Sequence, residues 1–230
     1  MGVAPRVNRE HEDRWISRDG DESENDKREL SNVQPPELVA RGAPRRHARI
    51  GGAFRASLWN GMASSWVDLS PSGATNSSAN GMDREHQVGW AIVGGVYRAS
   101  LWSGTAASWV DLSPTGSLHS SANSVSGGQQ AGEATVDGLG RASLWSGSAD
   151  TWVDLHPVGW ERSNAYGVDG GRQVGFVYGA GVYRASLWSG TAESWVNLNP
   201  AGASSSYAVG VHRGQQVGVA TVGGVNRAGV

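Results

Sequence analysis

Hydrophobic and polar positions recur along most of this chain with a fixed period of 43 residues. The string Arg-Ala-Ser-Leu-Trp begins at Arg55, Arg98, Arg141 and Arg184, and a partial copy opens at Arg227. The copies follow one another without gaps. A fixed period of this length indicates one structural unit repeated along residues 46–230.

Each unit contains four short pieces that carry apolar side chains, separated by connections rich in Gly, Ser, Asp or Asn. In one unit the pieces are residues 163–168, 173–178, 183–188 and 194–198. Their lengths suit β-strands, and their connections suit hairpin turns. No apolar stripe with a helical period runs through the repeats. The pattern therefore predicts four antiparallel strands in each unit and an all-β fold.

A four-stranded unit of this length has the size of one propeller blade. The first piece is built from small residues, which suits an innermost strand, whereas the tryptophans fall on the outer pieces. We predict a four-bladed β-propeller. The strands near 205–211 and 215–222 are expected to complete a blade with the strands that precede Pro71, which closes the ring. An open arc, or an assembly completed by a second chain, is the alternative.

Charge is concentrated before the repeats. Residues 1–45 form a charged segment that is expected to be disordered, because it has too little apolar surface to offset the entropy of ordering. It shows no signal peptide.

The net charge of −2 and the absence of cysteine give no reason to expect a nucleic-acid partner, a disulfide framework or a thiolate metal site. No apolar run is long enough for a transmembrane helix.

Several residue types recur at equivalent positions of the units, which we call columns. The two tryptophan columns are Trp59, Trp102, Trp145 and Trp188, and Trp66, Trp109, Trp152 and Trp195. We interpret them as packing between blades rather than as sugar-stacking surfaces. The arginine column is Arg55, Arg98, Arg141 and Arg184. A further column is Asp68, Asp111 and Asp154, with Asn197 in the fourth place. Structural Arg–carboxylate pairs are favoured over binding of an acidic ligand or a cation.

The loop after the proline of each unit varies most between copies. It is the candidate binding site, and the alternative is neutral drift in a loop that tolerates change. Trp160, Glu161 and Arg162 depart furthest from the repeat, together with His119 and His156. The six histidines share no column and no metal-binding spacing, so no metal site or cofactor is predicted. No catalytic residue is predicted either, because His119 and the serines beside it lack a nucleophile elbow.

The unit resembles the HAF repeat of bacterial proteins. The matching stretches are Ala99–Trp102, Asp111–Leu112, Ser121–Ala122 and Gln173–Gly175. The chain departs from that pattern at Ser57, Ser100, Ser143 and Ser186, where the family has phenylalanine, and it has Ser, His or Asn before proline where the family has glycine. The resemblance covers about residues 47–230. It implies a propeller-like module of extracellular or cell-surface proteins, with no known catalytic activity.

These observations together predict a non-enzymatic repeat scaffold that binds a protein or a glycan through loops on one rim. Self-association by exchange of blades or strands is left open. One alternative is a truncated or decayed repeat protein without a selected function. Another is a propeller glycosidase or lyase, which requires carboxylates or histidines on the axial strands, where the repeats have mainly Ala, Gly, Ser and Val.

Overall fold

A computed structural model describes residues 47–229 of the chain. These described residues belong to one compact unit. The predicted disordered segment, residues 1–45, lies outside the described residues. Within the described part, the regular structure consists of β-strands and four short 3-10 turns. No helix among these residues is long and apolar enough to cross a membrane.

Eighteen strands form five small antiparallel sheets in chain order. Sheet 1 holds β1 (His47–Ile50), β2 (Ala53–Leu58) and β3 (Val67–Asp68). Sheet 2 holds β4 (Ala74–Met82), β5 (Gln87–Val93), β6 (Val96–Trp102) and β7 (Val110–Asp111). Sheet 3 holds β8 (His119–Ser126), β9 (Gln129–Val136), β10 (Leu139–Trp145) and β11 (Val153–Asp154). Sheet 4 holds β12 (Arg162–Asp169), β13 (Arg172–Gly179), β14 (Val182–Trp188) and β15 (Val196–Asn197). Sheet 5 holds β16 (Ala203–His212), β17 (Gln215–Val222) and β18 (Val225–Gly229).

The all-β prediction is confirmed, and three of the four strands of a unit lie within a residue or two of their predicted bounds. The fourth strand was predicted too long. Residues 194–198 give only the two-residue strand β15, preceded by a 3-10 turn over Ala192–Ser194. The hydroxyl of Ser194 donates to the carbonyl of Thr191 at 2.6 Å and accepts the N–H of Ser189 at 2.8 Å. These local bonds wind the chain before the strand begins.

Glycine is required where the first two strands of a unit meet. Gly175 on β13 faces a bulge in β12 between Ala165 and Gly167, and a Cβ at this position would collide with the backbone carbonyl of Asn164. The equivalent glycines of the other complete sheets and of sheet 5 face the same obstacle. This close approach of two backbones explains the recurrence of glycine in the column.

The tryptophan columns form the contacts between successive sheets. Trp102 is fully buried and packs with Ala56 and Leu69 of the preceding sheet. In the same way Trp145 packs against sheet 2, and Trp188 packs against sheet 3. The second column supplies a hydrogen bond, because the indole N–H of each tryptophan donates to the buried serine of the Arg-Ala-Ser-Leu-Trp string. The four bonds join Trp66 to Ser57, Trp109 to Ser100, Trp152 to Ser143 and Trp195 to Ser186.

The predicted sharing of one sheet between the two ends of the repeat region does not form. β1–β3 and β16–β18 are two separate three-stranded sheets. The edges needed for sharing are already occupied, since β1 pairs with β2 and β18 pairs with β17. The repeat supplies a second-strand and a third-strand sequence at both ends, and each hairpin forms locally because its turn is short.

Candidate functional site

The variable loop of sheet 4 places an aromatic ring beside an arginine. Trp160 lies between β11 and β12, is half-buried, and packs on Trp195 with ring centroids 5.3 Å apart. The guanidinium carbon of Arg184 on β14 lies 5.9 Å from the centre of the Trp160 ring. An arginine at this distance over an indole is attracted to its π face.

Arg184 takes this position because its usual partner is absent from sheet 4. Arg98 donates to Asp111 at 2.8 Å, and Arg141 donates to Asp154 at 2.7 Å. The equivalent of these carboxylates beside Arg184 is Asn197, which carries no charge. The arginine column therefore makes structural ion pairs in sheets 2 and 3, whereas in sheet 4 the guanidinium is turned to Trp160.

His156 supports the loop that carries Trp160 through both of its ring nitrogens. One ring nitrogen, Nδ1, lies 2.8 Å from the hydroxyl of Ser163, and the other, Nε2, lies 3.0 Å from the carbonyl oxygen of Trp160. A neutral ring fits both contacts, with Nε2–H donating to the carbonyl and Nδ1 accepting from the hydroxyl. Burial lowers the pKa of His156 below its usual value. The predicted ligand residue His156 thus supports the loop instead of facing the cavity.

Glu161 and a facing turn complete the site. Glu161 accepts the backbone N–H of Ala180 through Oε1 at 2.9 Å. A Cβ on Gly179 would lie 2.9 Å from the Trp160 ring, so glycine lets the turn approach the indole. The result is an open cavity of about 370 Å³ lined by Gly159, Trp160, Glu161, Gly179, Ala180 and Arg184. We call it the Trp160 cavity.

Arg162, also predicted for this site, makes its contacts outside the cavity. Its Nη2 donates to both carboxylate oxygens of Glu133 on β9, at 3.0 and 2.9 Å. Asn164 donates to the same carboxylate at 2.6 Å. Burial raises the pKa of Glu133, against the attraction of Arg162. This cluster joins sheets 3 and 4.

His119 lies apart from the Trp160 cavity. It opens β8 on sheet 3, where its side chain is exposed and meets the ring of Tyr97 edge-on at 6.1 Å. Of the five predicted site residues, the structure therefore brings Trp160 and Glu161 into the cavity, places His156 behind it, and separates Arg162 and His119 from it.

Two contributions to this region were not predicted as site residues. Arg184 was interpreted as one member of a structural pair, although the change from Asp to Asn197 in the facing column was the signal that its partner was missing. Glu133 was not singled out. It stands where the neighbouring units have Trp90 and Phe176, and this apolar-to-charged change was the available signal.

Among residues 47–229, no group of three or more His, Asp or Glu side chains is arranged to hold a metal ion. Comparison with known proteins adds no family: no protein-family model and no curated protein matches this chain. The resemblance to HAF repeats stays a prediction.

Proposed function

We propose that this chain is a non-enzymatic binding module of the β-propeller type and that the Trp160 cavity binds a glycan. The observation that carries the proposal is the meeting of three groups in one open cavity: an indole face, a carboxylate, and an arginine that has no carboxylate partner within residues 47–229. Sheets 2 and 3 lack this arrangement, since their arginines of the column, Arg98 and Arg141, are paired with aspartates.

The chemistry of the cavity suits one sugar ring. The apolar face of a pyranose packs on an indole, while its hydroxyls or a carboxylate accept hydrogen bonds from the fork of Arg184. The second oxygen of Glu161 is available to accept from a hydroxyl. The volume of about 370 Å³ falls within the range of small-ligand sites. A protein partner would need a much wider contact surface around the cavity.

Binding without turnover follows from the acidic groups of the cavity. Most glycosidases use a pair of carboxyl groups on either side of the scissile bond. Among the described residues that line the cavity, Glu161 is the carboxylate, and one of its oxygens already accepts from Ala180. Glu133, which is partly buried, does not supply the second group, because Arg162 and Asn164 occupy its oxygens.

The propeller part of the proposal is supported by the structure of the sheets and by the repeat sequence. Each complete sheet has four antiparallel strands in chain order, and successive sheets pack through the same tryptophan column. The small residues of the first strands suit an axial position, as the sequence predicted. The HAF-like columns favour the same architecture and an extracellular or cell-surface location.

A glycan array probed with the full chain tests the ligand. We expect binding to a defined group of glycans, lost in Trp160→Ala and retained in Val158→Ala. Val158 is a suitable control because it lies in the same loop and is almost fully exposed. Absence of binding by the wild type, or equal binding by both variants, would contradict the proposal.

The role of Arg184 is tested by restoring its partner. Asn197→Asp should draw the guanidinium into the ion pair seen in sheets 2 and 3, and so weaken glycan affinity about tenfold. Asp111→Asn makes the reverse change on sheet 2, where Asp111 pairs with Arg98 away from the loop that carries Trp160, and should leave affinity unchanged. Equal effects of the two substitutions would show that Arg184 does not bind the glycan.

A further inference from the structure

The connection that follows β2 carries the pair Asn60-Gly61, whereas the other units have serine before the glycine. It leads from β2 into the 3-10 turn Ala63–Ser65. The serines at the same place are Ser103, Ser146 and Ser189. Asparagine before glycine is a reactive pair, because the backbone nitrogen of a residue without a Cβ approaches the side-chain amide with little obstruction. The repeat thus has a reactive amide at one position where its other copies have a hydroxyl.

The backbone of this connection is the same in all four units. The N–H of Asn60 donates to the hydroxyl of Ser65 at 2.8 Å, and the equivalent bonds of the other units have the same length. The glycine that follows has a positive φ in each copy, from 74° at Gly61 to 90° at Gly147. Asn60 therefore differs from its counterparts in its side chain and not in the path of the chain.

The nitrogen of the glycine is held in three units. Each N–H donates at 2.8 Å to the side-chain oxygen of a glutamine near the start of the second strand. The pairs are Gly104 with Gln87, Gly147 with Gln130, and Gly190 with Gln173. For Gly61 the same position of the sequence is Pro44, a residue type without a side-chain acceptor. Among residues 47–229, the N–H of Gly61 donates to no other group.

The sequence contains a second Asn-Gly pair, Asn80-Gly81, in a protected place. It lies inside β4, where Gly81 is opposite Val88 of β5. The side-chain amide of Asn80 donates to the carbonyl of Ala122 on sheet 3 at 3.0 Å. Asn80 is half-buried, whereas Asn60 is exposed. Reaction at Asn80 therefore requires local opening of β4, and reaction at Asn60 requires only rotation of an exposed side chain.

We propose that Asn60 is a site of spontaneous deamidation, because within the described residues nothing holds the nitrogen of Gly61. This nitrogen forms a bond to Cγ of Asn60, the bond from Cγ to the amide nitrogen breaks, and the proton of the glycine N–H leaves with the amide nitrogen as ammonia. Water then adds to one of the two carbonyls of the succinimide ring and opens it to aspartate or isoaspartate. The product adds a negative charge to the connection. This inference is independent of the glycan ligand.

Ageing of the full chain in ¹⁸O-labelled water at mildly alkaline pH, followed by peptide mass spectrometry, tests the proposal. Trypsin cleaves after Arg55 and Arg84, so one peptide, residues 56–84, carries both Asn-Gly pairs. Digestion in ordinary water leaves the label only in acids that formed during ageing, and fragmentation of the peptide locates it. We expect labelling of residue 60 to be at least about tenfold faster than labelling of residue 80, since the latter waits for β4 to open.

Variants of sheet 2 test the part played by the glycine nitrogen. Ser103→Asn creates the same pair where Gln87 holds the N–H of Gly104, and it should react about tenfold more slowly than Asn60. Addition of Gln87→Met removes the acceptor and should bring the rate close to that of Asn60. Thermal unfolding shows whether the double variant is folded, and the comparison of Ser103→Asn with Asn60 in one protein stands without it.

Asn60→Ser is the matched control, because serine stands at this place in the other three units. It should remove the label from residue 60 and leave the labelling of residue 80 unchanged.

Three outcomes would overturn the proposal. One is equal labelling of residues 60 and 80 in the folded chain. Another is no label at residue 60 although the same chain, unfolded in urea, reacts at both pairs. The third is reaction of folded Ser103→Asn as fast as Asn60, which would mean that the hold on the glycine nitrogen does not decide where the chain reacts.

Discussion

At the scale of single residues, the repeat tolerates substitution where a side chain can reproduce one hydrogen bond. Ser70, Ser113, His156 and Asn199 occupy one column, and each bonds to the first-strand serine that follows seven residues later. The histidine adds a second bond, to the carbonyl of Trp160 at 3.0 Å. The presence of histidine instead of serine at position 156 of this column thus holds the loop that carries the candidate site.

His156 should make the stability of the protein depend on pH. Its pKa is lowered in the folded state by burial, so the unfolded chain takes up the proton first as the pH falls. The stability it contributes is present above the usual histidine pKa and is lost as the pH falls through and below that value. Urea unfolding at about pH 7.5 and about pH 5 should show a larger loss in the wild type than in His156→Ser.

Serine is the right replacement because the chain uses it at the same place. The hydroxyl of Ser113 contacts that of Ser120 at 2.8 Å, which shows that serine fits the column. The other histidines are unchanged in the variant, so the difference between the two proteins isolates His156. Identical losses on acidification would contradict the assignment.

At the scale of elements, the hairpins of each unit are specified by glycines with two different tasks. Gly170 and Gly171 turn the chain between β12 and β13 with positive φ angles of 55° and 76°. Gly132 has no such angle, but its Cα faces the backbone of Ser121 and Ala122 too closely for a side chain. The first task is conformational and the second is steric.

Gly132→Ala should therefore lower the free energy of unfolding by about 2 to 3 kcal/mol, because the added methyl group meets a rigid backbone. Gly229→Ala is the control. Gly229 also lies in a strand, has no positive φ, and has open space where a Cβ would be. Its substitution should change stability by less than about 0.5 kcal/mol. Denaturant unfolding that shows similar effects at both positions would contradict the steric explanation.

The sequence predicted most elements because period and turn chemistry are local. The first three strands of a unit follow from short runs that carry apolar side chains and are separated by glycine-containing turns. The fourth strand was predicted too long, because the hydroxyl of Ser194 bonds to Thr191 and winds a turn that no hydrophobic pattern reveals. The candidate loop was also found by its departure from the repeat. The position of Arg184 over Trp160 was not, because it depends on a contact between distant parts of the chain.

At the scale of the whole molecule, the described residues behave as a linear array of similar contacts. Each inner sheet is covered on both faces by its neighbours, while sheets 1 and 5 are each covered on one face. The predicted sharing of one sheet between the two ends does not form. The period of the repeat states how many copies there are, but it does not fix the partners of the end strands. In an array with nearest-neighbour contacts, stability is the sum of local terms, and the ends open more easily than the middle.

Amide hydrogen exchange should reveal this gradient, and two valines of one column make the comparison direct. Val174 on β13 is fully buried, whereas Val217 on β17 is 46% exposed. Lost burial of a valine side chain lowers local stability enough to reduce protection about tenfold to a hundredfold. We expect β17 to exchange through partial opening and β13 only near global unfolding. Equal protection of the two strands would mean that the sheets unfold as one cooperative body.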